Sequence, residues 1–175
     1  MALRPIVKYP HPVLTTRSVE VATIDESIER LVADMVETMH AAPGVGLAAN
    51  QVDVTMRVAV VDLSVGKDPD ALVVLVNPRV IGTDGNQVDE EGCLSIPGIT
   101  EFVSRPLRAE IEALNLAGKR FRLTGEGLMA RALLHEIDHL DGILFLDRLS
   151  PLKRRLLRKK IQKLIRTGEW AGVGT

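Results

Sequence analysis

The stretch Glu126–Gly142, EGLMARALLHEIDHLDG, settles what kind of chain this is. Leu133, Ile137 and Leu140 fall at the three-and-four spacing of one buried helix stripe. Gly142 supplies the stop, because glycine takes the left-handed conformation that closes a helix at least cost. On the other side of this helix His135 and His139 stand one turn apart. Residues at that spacing lie about 5–6 Å from each other at Cβ on one face, which lets two imidazoles share one metal ion. Glu136 sits beside the first histidine and nearly a turn before the second, so its carboxylate can reach a metal-bound water without itself being a ligand. Taken alone, the five residues His135–His139 fit a solvated helix with locally hydrogen-bonded histidines equally well.

Outward from this helix the sequence reads as strands, turns and two more helices. Asp25 caps a helix whose apolar stripe is Ile28, Leu31, Val32, Met35, Val36 and Met39, and Pro43-Gly44 ends it. Strands follow at Met56–Leu63 and Ala71–Ile81, separated by the turn Gly66-Lys67-Asp68-Pro69. Pro78 predicts that the second of them breaks or lies at a sheet edge, since proline cannot donate to the ladder. Leu107–Leu114 turns through Ala117-Gly118-Lys119 into Arg120–Thr124 as a hairpin. Ser150 and Pro151 open a last helix, Pro151–Arg166. The expected fold class is α+β, with antiparallel strands packed around the central metal-binding helix and a basic C-terminal helix. The expected division is a catalytic body, residues 1–150, and a basic helix and tail, residues 151–175.

Composition narrows the function. A chain of 175 residues that is 46% hydrophobic and 26% charged can bury a core without staples. The single cysteine excludes an internal disulfide, Met1–Thr16 lack the pattern of a signal peptide, and no apolar run approaches the roughly 20 residues needed to span a bilayer. The expected location is the cytoplasm, with no membrane partner. Aromatics at 3% supply too few stacking surfaces for reading single-stranded nucleic acid. The net charge of −1 hides an asymmetry. Lys153, Arg154, Arg155, Arg158, Lys159, Lys160, Lys163 and Arg166 face Glu169 alone in the last 25 residues, leaving the body acidic.

Two further segments bear on the chemistry. Cys93, in Glu91-Gly92-Cys93-Leu94-Ser95, is the only thiol and a candidate for the third donor beside two histidines, since catalytic zinc-like sites use three protein ligands. A small buried hydrophobe and a Cys-His nucleophile pair remain alternatives for it. The loop Gly44-Val45-Gly46-Leu47-Ala48-Ala49-Asn50-Gln51 lets backbone approach a ligand closely at its two glycines, and Gln51 offers an uncharged amide donor. It is neither a dinucleotide fingerprint nor a phosphate loop, for the third glycine and the Gly-Lys-Ser/Thr are missing. His11 and His40 read as ordinary loop and helix-end residues.

Together Gly44–Gln51, Glu91–Ser95 and His135–Gly142 resemble the three signature motifs of the peptide deformylase family, in order and spacing, and the likeness extends from Pro10 to the C-terminal helix. The resemblance implies that Cys93, His135 and His139 hold one divalent metal, Fe²⁺ in the cell with Zn²⁺ or Ni²⁺ as substitutes. It implies that Glu136 is the general acid/base and that Gln51 and the backbone N–H of Leu94 stabilise the oxyanion. The substrates it implies are N-formylmethionyl peptides and nascent chains, with ribosomal RNA as partner of the basic helix. Leu134 departs from the family pattern, where glutamine precedes the first histidine, and the expectation is a change just behind the metal ligands. Leu128 is the first candidate to line a pocket for the methionine side chain, with Val45 second and Gly46 allowing close backbone approach. Arg131 should pack its stem there and point its head to solvent. Asp138 should be buried against an arginine, Arg105 being the candidate because it enters a strand expected to pass this helix. A zinc endopeptidase would replace Cys93 by a carboxylate or a third histidine, and a structural metal module would need a fourth protein ligand.

Overall fold

The computed structural model describes residues 2–170, so the last residues of the 151–175 segment lie outside it. Five strands form one antiparallel sheet in the order β1 (Gly46–Ala48), β2 (Val58–Val61), β3 (Val73–Asp84), β6 (Arg108–Leu114), β7 (Arg120–Glu126). A separate two-stranded sheet is made by β4 (Gln87–Cys93) and β5 (Ile96–Arg105).

Helix α1 (Glu26–Ala41) begins where the Asp25 carboxylate accepts from the N–H groups of Ser27 and Ile28. It buries Ile28, Leu31, Val32, Met35 and Met39 against one face of the larger sheet, meeting Val58, Val60 and Val76. Helix α2 (Leu128–Leu140) buries Leu133, Ile137 and Leu140 against the opposite face, meeting Ala59, Val61, Leu75 and Ile111. Successive strand residues point to opposite faces. Covering both faces therefore makes Val58–Val61 an unbroken apolar run where a half-solvated strand would alternate. Gly142, at φ 75°, closes α2 and lies so near the chain at Thr15 that a Cβ would come within 2.8 Å of its carbonyl oxygen.

Pro78 neither ends β3 nor marks an edge, for β3 lies at the centre of the sheet. The register with β6 shifts between Val76 and Arg79, and Asn77 adopts φ 51°. This bulge places Pro78 where the ladder asks for no N–H. Helix α3 (Pro151–Arg166) docks through Ile161, with Leu157, Leu164 and Ile165, onto Val13, Leu14, Ile96 and Phe145. Leu152 and Leu156, 63% and 57% exposed, stay outside this seam.

Candidate metal centre

The metal site is assembled where α2 faces the end of β4. His135 and His139 project from one side of α2, and Cys93, the last residue of β4, meets them from the smaller sheet. His139 Nε2 lies 3.2 Å from Cys93 Sγ and 3.1 Å from His135 Nε2. All three donor atoms fall within 4.8 Å of one another. Tetrahedral ligand bonds of about 2.0–2.3 Å place neighbouring donors roughly 3.3–3.6 Å apart, so the set fits one divalent ion. A carboxylate oxygen of Glu91 sits 2.6 Å from His135 Nδ1, which keeps the proton on that nitrogen and turns the Nε2 lone pair towards the other donors.

Behind the ligands lies a buried ionic network. Arg105 grips Glu91 through Nε and Nη2, both at 2.7 Å, and reaches Asp138 through Nη1 at 2.9 Å. Arg148 closes on the far side of Asp138 at 2.7 Å. The expected pairing of Asp138 with Arg105 is thus present, and it belongs to a larger set. Arg131 joins it: its head does not point to solvent but donates to Glu91 at 2.9 Å and to the Val103 carbonyl at 3.0 Å, with only 4% of the residue exposed. A second carboxylate facing α2 explains why, since Glu91 is tucked under the helix with room for two guanidinium groups. Burial works to raise the Glu91 pKa, yet hydrogen bonds from Arg105 and His135 outweigh it and hold the group well below the usual carboxylate range. Leu134 packs with Ala109 and Ala130 between α2 and β6, so its departure from the family pattern falls in an apolar contact.

Glu136 is 4% exposed, and its Oε2 is buried without a hydrogen-bond partner among the described residues. Burial pushes its pKa up to about 7. Gly46 allows this carboxylate its place, because a Cβ on Gly46 would collide with it. The Gln51 side chain accepts from the N–H of Ala48 at 3.0 Å and donates from Nε2 to Ser95 Oγ at 3.1 Å, with Cys93 Sγ 3.6 Å away. Its amide is thereby fixed beside the ligands. Asn50, a residue that spacing and residue type do not single out, donates from Nδ2 to the His139 carbonyl at 2.6 Å and ties the glycine loop to the metal helix.

A cleft of about 920 Å³ opens onto this centre, with Gln51, Cys93, His135 and Glu136 in its wall. Val45 and Leu94 line it as well. Leu128 does too, but at 57% exposed it is a rim residue and no floor to a pocket. One wall comes from the N-terminal segment, which carries no motif. The N–H of Val7 donates to the Gln51 carbonyl at 2.7 Å and that of Tyr9 to the Ser95 carbonyl at 2.8 Å. Between them Lys8 extends into the cleft and donates from Nζ to the Leu94 carbonyl at 3.1 Å. Burial draws its pKa below the ordinary lysine value, opposed by the charge on Cys93.

Residues 3–155 match the profile of the polypeptide deformylase family. The chain is 49% identical over 170 residues to a peptide deformylase of Acidobacterium capsulatum, covering 97% of this chain and 100% of that protein. It is 50% identical over 167 residues to peptide deformylase 1 of Burkholderia multivorans, covering 95% and 91% of the two chains. Among solved structures it superposes on a peptide deformylase from Legionella pneumophila with a TM-score of 0.88, at 44% identity over 95% of this chain and 98% of that one. The Ehrlichia chaffeensis peptide deformylase in complex with actinonin gives 0.84 at 38% identity, covering 93% and 98%.

Proposed function

The chain belongs to the polypeptide deformylase family and catalyses metal-dependent removal of the formyl group from N-formylmethionine peptides, and we propose how its residues divide that work. The observation that carries the proposal is the convergence of three donor atoms, from Cys93, His135 and His139, beside a buried carboxylate with a free oxygen. When bound, a divalent ion on these donors supplies Lewis acidity, polarising a carbonyl and lowering the pKa of water from about 15.7 towards 7. Glu136 accepts the water proton at its free Oε2 and hands it to the leaving amine, a role worth about 10²–10⁴ in rate. A carboxyl whose pKa is raised towards neutrality suits both halves of that transfer. Gln51 Nε2 and the backbone N–H of Leu94 donate to the oxyanion as it develops, each worth on the order of 10²–10³. Val45 and Leu128, with Gly46 giving close backbone approach, bound the space for the methionine side chain.

Thiolate and imidazole donors together accept Fe²⁺, Ni²⁺ and Zn²⁺, and Fe²⁺ is the ion we assign in the cell. We assign the basic face of α3, outside a catalytic body of residues 1–150, to ribosomal RNA near the point where nascent chains emerge, and the enzyme to the cytoplasm. Among the described residues no helix is long and apolar enough to cross a membrane. Metal analysis of protein purified without oxygen, paired with turnover of a formyl-Met peptide, tests the assignment. Stoichiometric Fe²⁺ with turnover lost on chelation is the expected result; an active protein holding no metal would overturn it.

A further inference from the structure

The reaction turns one neutral group into two ions. An N-formyl amide plus water gives formate and a free amine: a C–O bond forms, the C–N bond breaks, and the amine collects a proton to become an α-ammonium, since its pKa of about 8 lies above neutrality. A formylated chain end carries no charge, a processed end carries +1, and the released fragment carries −1. Any fixed charge in the cleft therefore sees substrate and products differently.

Lys8 is such a charge. It lies in the cleft wall with Gln51, Cys93 and Glu136. Its backbone is pinned on both sides by the bonds from Val7 to Gln51 and from Tyr9 to Ser95, which fixes its Cα between the glycine loop and the Cys93 segment. Its only polar partner among the described residues is the uncharged carbonyl of Leu94, at 3.1 Å. The other cation of this wall, Arg4, is committed to Asp34 at 3.0 Å. A half-buried ammonium bonded to no carboxylate, with the charge on Cys93 offsetting only part of its field, still presents positive charge to the cleft, where partial exclusion of water strengthens it.

We infer that Lys8 sorts the reaction's participants by charge, disfavouring a chain end with a free α-ammonium and favouring formate while leaving the neutral formylated end unaffected. The inference rests on the site roles proposed above. It makes Lys8 a specificity residue: it keeps already processed chains from occupying the site and hastens release of the peptide product. At separations of about 6–8 Å in a cleft open to water, with an effective dielectric constant of about 40–60, one unit charge changes such affinities about three- to tenfold.

Calorimetric titration of the metal-loaded enzyme with the unformylated peptide Met-Ala-Ser, and separately with sodium formate, reads both affinities without turnover. Lys8→Gln keeps a donor for the Leu94 carbonyl and loses only the charge. It should bind the free-amine peptide about three- to tenfold more tightly and formate about three- to tenfold more weakly, and Lys8→Met should do the same. Lys8→Arg, which keeps the charge, should stay within about twofold of the wild type. Unchanged affinities in both neutral variants would overturn the inference, and so would an Arg variant that shifts as far as the Gln variant. Neither result would touch the roles of Glu136 and the three ligands, which are read from metal content and turnover.

Discussion

Two neighbours in one helical turn, His135 and Glu136, are buried to nearly the same extent and yet do different work. His135 has Glu91 behind it and turns its other nitrogen to the donor cluster, whereas Glu136 has an oxygen with no hydrogen-bond partner among the described residues. Glu136→Ala should accordingly keep the metal and lose about 10²–10⁴ in kcat, read by metal analysis and a formyl-Met peptide assay on the same preparation. Cys93→Ala should fail at the earlier step and lose metal affinity, with Cys93→Asp recovering part of it as a harder ligand. Metal retained in full by Cys93→Ala would show the ligand set to be wrong. Two histidines at helical spacing were legible in the sequence as a donor pair, the lone thiol joined them only through the resemblance, and the structure brings the three together; the part given to the amide of Gln51 likewise came from the resemblance. Arg131 was misplaced because one-dimensional spacing gives a side chain's face and not what waits opposite that face, which for Arg131 is Glu91.

The elements α1, β2, β6, β7, α2 and α3 could be read from caps and periodicity, because each carries an apolar pattern that one or two neighbours satisfy. The β4–β5 hairpin escaped notice for a physical reason: its inward positions include Glu91 and Arg105, whose burial is made possible by pairing with each other. A strand that buries charge has no apolar alternation to show. The same network predicts that Asp138→Ala, which strips the carboxylate from between Arg105 and Arg148, costs about 3–5 kcal/mol, or roughly 6–20 °C in Tm, while the folded fraction turns over. An unchanged Tm with collapsed turnover would contradict this. Another carboxylate holds the loop after β2. Burial pushes the Asp62 pKa up, but hydrogen bonds from Ser64, His40 and the Gly66 N–H prevail and bring it down to about 2. A carboxyl depressed in the folded state stabilises fully above its unfolded pKa of 3.8 and loses that contribution as the pH falls towards 2. Asp62→Ala should therefore be less stable than wild type at pH 7, by about 1–3 kcal/mol, and the gap should narrow across this acid range in urea unfolding. A gap that does not change with pH would remove Asp62 from the account.

At the scale of the whole molecule the charge is divided between an acidic body and a basic last helix. Reversing Lys159, Lys160 and Lys163, all exposed on α3, should weaken ribosome association and flatten its salt dependence while the cleft, built from other elements, continues to hydrolyse short formyl-peptides. Ribosome binding that is unchanged and indifferent to salt would reduce this face to a solvated surface. The division between the two sheets has a different consequence. Cys93 belongs to the two-stranded sheet, while the histidines belong to the helix that lies on the five-stranded one. An ion held by all three is then a clasp between bodies that share no strand, and its binding free energy is spent on keeping them together. Stripping it with a chelator should speed amide hydrogen exchange first in Gln87–Arg105 and leave β6 and β7 protected, so that the enzyme's resistance to opening, and with it to proteases, tracks the supply of metal.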